Sequence, residues 1–384
     1  MPSSSPRPSP SRRRRGTRPD PSPKYRRPAP RSFRVIAIGA VATLTIAAAL
    51  GAWISIRERP PRTFAHADAS PRLVATLMAE VRSAQAGNRG RDADLAAKEL
   101  TRLDPSTAEA WSIRLNRLRV LDQPAQAIEL GLSALTHLNS PRARRAILMT
   151  TTLAALAEVP DAEARSRLDR WIEADPLDID AQVARMTRIA ANPHPGDPDR
   201  ATRIIELGRI VAQAPNHVAA REALAVALAD AGEVDRGRAV LTRWPEPGRD
   251  HRFDRLQARW DLEYDHQPAR AAERFRRALV EVPHDWKLHY GLARALRILG
   301  RTSEAQAEAL AVARLRERLD PGTLGPRLAT DFARLDRGAE AEAESDQATL
   351  DLAALCRSVG LTRLADAWSQ EADRSPLSAA RNPH

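Results

Sequence analysis

The sequence predicts an all-α chain, a solenoid of stacked helical hairpins behind a single membrane-spanning helix, and three observations predict it. Gly232 and Gly300 each end an apolar helical run and lie 68 residues apart, twice 34, and Pro215 and Pro283, each closing the helix before such a run, share that separation. A fixed period of roughly 20 to 50 residues is the signature of a stacked repeat, whose units bury their apolar faces only against their neighbours. From Pro71 onward apolar residues recur at three- and four-residue spacing, with turn signals about every fifteen residues. Val35 to Ile56 holds no charged residue over 22 positions.

Composition agrees with thin, stacked helices. Aromatic residues are 4% of the chain, so its interior has to come from Leu, Ala, Ile and Val on helix faces. The formal net charge is +11, but Met1 to Arg34 carries eleven Arg and Lys against the single Asp20, which leaves the other 350 residues at +1. The high isoelectric point therefore describes a tail and does not mark the whole chain as a nucleic-acid binder. A single cysteine, Cys356, excludes an intrachain disulfide framework and a multi-cysteine zinc site.

In chain order, residues 1–34 are rich in Pro, Ser and Arg and too poor in apolar side chains to offset the entropy of ordering, so they are expected to be a disordered basic tail. Residues 35–56 reach roughly 33 Å as a helix at about 1.5 Å per residue, enough to cross the hydrocarbon core of a bilayer. Trp53 suits the membrane interface near the far end. The basic excess before Val35 places the N-terminus in the cytoplasm and the rest of the chain outside it, although Arg57, Arg59 and Arg62 put positive charge on the other flank. A competing reading is cleavage after Ala67, in the small-x-small sequence Ala65-His66-Ala67, but the apolar run is longer than a usual signal-peptide core. Pro60 and Pro61 stop the helix and open a linker, residues 57–71. Residues 72–372 form the repeat domain and 373–384 a C-terminal tail. Within the domain, Pro193-His194-Pro195-Gly196-Asp197 is a loop insertion, and the last helix is expected to cap the array.

In a 34-residue frame beginning at Arg252, Ala271, Phe275, Ala278 and Pro283 fall at places 20, 24, 27 and 32, and the next frame puts Leu292, Ala293, Leu296, Gly300 and Ala305 at places 7, 8, 11, 15 and 20. These residues resemble the tetratricopeptide repeat. Small residues at places 20 and 27 let helices approach closely, the proline stops the second helix, and the glycine suits the left-handed turn between helices. The resemblance covers about 300 residues and implies a right-handed α-solenoid of roughly eight helix pairs, with the strongest agreement from Val218 to Ala309. Arg259 departs from it, standing at place 8 where a small residue belongs, so that unit's first helix is expected to be shifted or splayed.

The sequence contains no phosphate loop, nucleophile elbow, H-E-x-x-H or Cys/His cluster with metal spacing, so neither catalysis, nor a cofactor, nor a metal is expected. His284 and His289 are five apart and share no helix face, Cys356 points into the stack as a small hydrophobe, and the run Glu340 to Asp346 reads as a solvated face. The resemblance also implies a peptide groove lined by places 2, 5, 9, 12 and 13 of each first helix. These are Phe253, Leu256, Trp260, Glu263 and Tyr264 in one frame and Lys287, Tyr290, Arg294, Arg297 and Ile298 in the next. Such aromatic and arginine side chains dominate binding hot spots. Equally, Trp260 and Tyr264 could fill space beside the irregular Arg259. The Lys and Asn pattern that clamps a free C-terminus is absent.

The function these readings point to is a non-catalytic, membrane-anchored scaffold whose repeats lie outside the cytoplasm and hold a protein or peptide partner during envelope assembly, secretion or complex assembly. The alternative is a tether to anionic lipid or nucleic acid through the arginine-rich tail. Salt would separate the two, since phosphate binding weakens steeply with ionic strength. Nucleic acid is the less expected partner.

Overall fold

The computed structural model describes residues 71–245, 250–336 and 342–374. The basic tail, the expected membrane segment 35–56 and the linker up to Ser70 lie outside the described residues, as does the tail from 375. Among the described residues no helix is long and apolar enough to cross a membrane. They form seventeen α-helices and no strand.

The first helix, α1 (Pro71–Ala86), begins one residue inside the expected linker, with Pro71 where a missing N–H costs nothing. It pairs with α2 (Gly90–Leu103), and α3 (Ala108–Val120) pairs with α4 (Pro124–Leu135). Helix α5 (Pro141–Leu156) packs on both α3 and α4. The array then runs through α6 (Asp161–Ala174), α7 (Ile179–Ala191), α8 (Arg200–Gln213), α9 (Val218–Asp230), α10 (Val234–Leu241), α11 (His251–Glu263), α12 (Pro268–Glu281), α13 (Trp286–Ile298) and α14 (Thr302–Arg318). It ends with α15 (Pro321–Asp336), α16 (Glu342–Ser358) and α17 (Thr362–Asp373).

The punctuation follows the sequence. Gly232, Gly300 and Gly360 sit at φ of 80°, 71° and 88°, the left-handed region where a side chain would be strained, and each ends a helix. Ala271 and Ala278 are fully buried on α12, with Phe275 between them, so the small residues do stand at close helix contacts. Replacing Ala278 by leucine should cost about 1–3 kcal/mol through overpacking. Chemical denaturation reads this directly, and an unchanged midpoint would place Ala278 outside the contact.

Two features depart from a simple stack. The third unit is opened: α5 stays on α3 and α4, whereas α6 joins α7 and touches α3. The cause lies in α5 itself, whose residues Ala146 to Leu156 are all buried. A helix buried all round, with its three threonine hydroxyls donating to its own carbonyls, needs cover on more sides than one hairpin partner supplies. Gly131 on α4 admits it closely, since a Cβ there would run into the side chain of Thr151.

The remaining cover comes from the other end of the chain. Helix α17 packs on α5 and α4, and α15 touches α5, so the last helix closes the array on itself instead of capping a free end. One apolar cluster accordingly joins Leu115, Ile147 and Leu148 to Leu328, Leu352, Cys356 and Trp368. At this seam the indole of Trp368 donates to the Thr152 hydroxyl at 2.9 Å, and both residues are fully buried. Cys356 is buried as expected, and burial pushes its thiol up to about 12.

Candidate functional site

Closure leaves a central hollow. One part, about 1140 Å³, is lined by the turn from α3 to α4, the end of α5, the inner faces of α7 and α9, the start of α11, the turn before α13 and the turn after α14. A second part, about 1110 Å³, shares Leu121, Asp180, His217, His251 and Arg252 with the first and extends to α2 and to the turn between α16 and α17.

The wall between α9, α11 and α13 is a ladder of ion pairs. Glu222 of α9 pairs with Arg255 of α11, which also reaches Asp285 at 3.4 Å. Asp230 bonds Arg259 at 2.9 Å, Arg259 bonds Glu263 at 2.9 Å, and Glu263 bonds Arg294 of α13 at 3.2 Å. Burial alone would lower the Arg259 pKa, but its two carboxylates hold it above the usual guanidinium value. Helix α11 is shifted, one of the two outcomes expected at Arg259: that side chain turns to the ladder and Ala258, fully buried, takes the close helix contact.

This corrects the expected groove. With Ala258 in the small-residue place, the first-helix frame of this unit begins at His251, and one residue of shift turns each side chain by about 100°. The inner positions are then Arg252, Arg255, Arg259, Leu262 and Glu263, of which Leu262 is buried, and the aromatic residues face the preceding unit. Trp260 is 1% exposed and stands against Gly237 of α10, where a Cβ would come within 2.9 Å of its ring. Phe253 is half-buried 5.8 Å from Trp244, and Tyr264 half-buried 5.6 Å from Trp260. On α13, Lys287 lines the hollow beside the Trp286 ring, Arg294 is held in the ladder, and Tyr290 and Arg297 are exposed beyond the hollow. The full burial of Ala258 is the signal for this register, and it becomes visible only once α11 is packed.

Arginines from distant segments complete the hollow. Arg119 Nε donates to the Ala157 carbonyl at 3.4 Å, Arg188 to Val159 at 3.5 Å and Arg203 to Pro198 at 2.8 Å. Arg316 lies over the Trp286 ring, 5.2 Å from its centroid. Arg117, which lines the second part, is locked by a bidentate pair with buried Asp178 at 2.8 and 3.0 Å and stacks on Trp171.

Asp180, on the wall of both parts, accepts from His217 Nε2 at 2.9 Å, while His217 Nδ1 accepts from the Ala220 N–H and caps α9. That hydrogen bond, aided by Arg117, lowers the Asp180 pKa below its ordinary 3.8. A carboxylate depressed on folding stabilises the fold above its ordinary value and loses that contribution as pH falls through the folded value. Thermal melts from neutral to acid pH should show this loss at and below 3.8, and Asp180→Asn should flatten that part of the profile. An unchanged acid limb would remove Asp180 from the linkage.

Residues 195–259, spanning α8 to most of α11, match the family model described as tetratricopeptide repeat. That segment is thus a tetratricopeptide repeat. A solved human structure, described as "Human IFIT1 dimer with PPP-AAAA", is similar at a TM-score of 0.33 and 18% identity, over 78% of this chain and 67% of that one. No curated protein matches the chain.

Proposed function

We propose that the protein is a non-catalytic, membrane-anchored scaffold that holds an acidic, partly apolar peptide segment of a partner in its central hollow. The observation carrying this is the charge state of the wall. Its carboxylates Asp180, Glu222, Asp230 and Asp285 are taken by His217 and the ladder arginines. Arg119, Arg188 and Arg203 hydrogen-bond to backbone carbonyls, with the Glu163 and Asp199 charges near the first and the last, and the other lining carboxylates, Asp122, Glu158 and Asp320, stand at exposed positions. A neutral carbonyl leaves a guanidinium's charge and remaining donors for a ligand carboxylate, the stronger partner. Val183, Met186, Leu207 and Val226 supply apolar wall between these cations.

A photo-crosslinking residue at Val226 of the full chain in cells is the test. It should capture a partner, and Arg188→Glu combined with Arg203→Glu should abolish capture while the helical circular dichroism signal stays. Capture indifferent to both reversals would sink this reading. In the same proposal Val35–Ile56 is the anchor, the basic tail lies on anionic lipid at the cytoplasmic face, and the repeats are outside. Protease added to spheroplasts should digest the repeats, and digestion of the N-terminal tail alone would reverse the orientation.

A further inference from the structure

The regular part of the array has an open edge. In the inner layer α7 is followed by α9, α9 by α11 and α11 by α13, each packed on the last, whereas among the described residues no later helix packs along α13 and α14 in this way. The junctions inside the chain show what such a face takes. Between α12 and α13, the Phe275 ring lies 2.5 Å from where a Cβ of Gly291 would stand, so a large residue on the second helix is matched by none on the incoming one. Beside it, Glu263 of α11 bonds Arg294 of α13.

At the open edge both partners of that arrangement change. The place of Phe275, 34 residues on, is held by Ala309, which is exposed. The place of Glu263 is held by Ile298, 63% exposed, with Tyr290 53% and Leu310 58% exposed around it and Arg297 exposed beside it. The face has thus lost a ring, leaving room over Ala309, and presents apolar side chains next to the Arg297 cation. Ala309 and Ile298 do not line the central hollow.

We propose that the edge formed by α13 and α14 docks an amphipathic acidic helix of a partner protein in the position of a further first helix. A bulky apolar residue of that helix sits over Ala309, where the internal junction uses Gly291, and its carboxylates face Arg297. Charge selects an acidic helix: besides Arg297, the last two turns of α14 add Arg314 and Arg318 against Glu317, so a basic helix, or the same segment of a second copy, would bring like charges together. The surface is independent of the hollow.

The probe is a synthetic amphipathic helix with Phe and Leu on one face and Glu on its flanks, compared by fluorescence anisotropy with the same helix carrying Lys for Glu, against the full chain. The Glu helix is expected to bind and the Lys helix not to. Arg297→Glu should weaken binding about tenfold or more, the size of one lost hot-spot contact, and admit the Lys helix instead. Ala309→Trp should block the seat. Both positions are exposed, so an unchanged melting midpoint separates lost docking from lost folding. Arg203→Glu, in the hollow, should leave this binding unaltered. Equal affinity for the two helices, or indifference to Arg297→Glu and Ala309→Trp, overturns the proposal. So does sedimentation showing a dimer of the chain that Ala309→Trp dissociates.

Discussion

Trp260→Ala is expected to destabilise the fold by about 3–5 kcal/mol, the range for truncating a buried aromatic residue. The ring is 1% exposed, packs with Ala225, Leu241 and Trp244, and fills the space that Gly237 leaves on α10. The indole Nε1 has no hydrogen-bond partner, so Trp260→Phe removes an unsatisfied buried donor, usually a cost of about 1–3 kcal/mol, and should retain most of the stability. Urea denaturation of the two variants tests the assignment. A Trp260→Ala variant that keeps its midpoint but loses partner capture would return the ring to the binding surface.

At the seam, Arg144→Ala should cost about 3–5 kcal/mol, because it strands a buried carboxylate. Arg144 Nε donates to Glu371 at 2.9 Å, and its Nη1 donates to the Leu135 and Leu138 carbonyls at 2.6 and 3.3 Å. Glu371 is 2% exposed. Arg374 at 3.5 Å and Arg145 at 3.8 Å still face that carboxylate, which holds the loss to the lower end of the range. The double variant Arg144→Met with Glu371→Leu should recover most of it, since two apolar side chains there avoid burying charge at all. A loss equal to the sum of the single variants would mean that the pair does not act as a unit. Since this seam joins α5 to α17, limited proteolysis of Arg144→Ala should release the C-terminal helices before the rest of the array.

Helix existence and helix ends were legible in the residues themselves. The left-handed conformations at Gly232, Gly300 and Gly360, and the buried alanines of α12, follow from steric rules that act within a few residues. A 34-residue period also states that hairpins stack. The candidate site was legible only in part: Lys287 and Arg294 lie on the inner wall or its ladder, whereas Phe253, Trp260 and Tyr264 do not. Only the tertiary structure decided this, because a shift of one residue between adjacent frames leaves the apolar pattern of α11 almost unchanged yet rotates its faces by about 100°. Closure was likewise decided in three dimensions. The sequence did not say what covers α5, since hydrophobic burial is non-directional. The cover came from Trp368 and its neighbours, 216 residues from Thr152, a separation that no local period records.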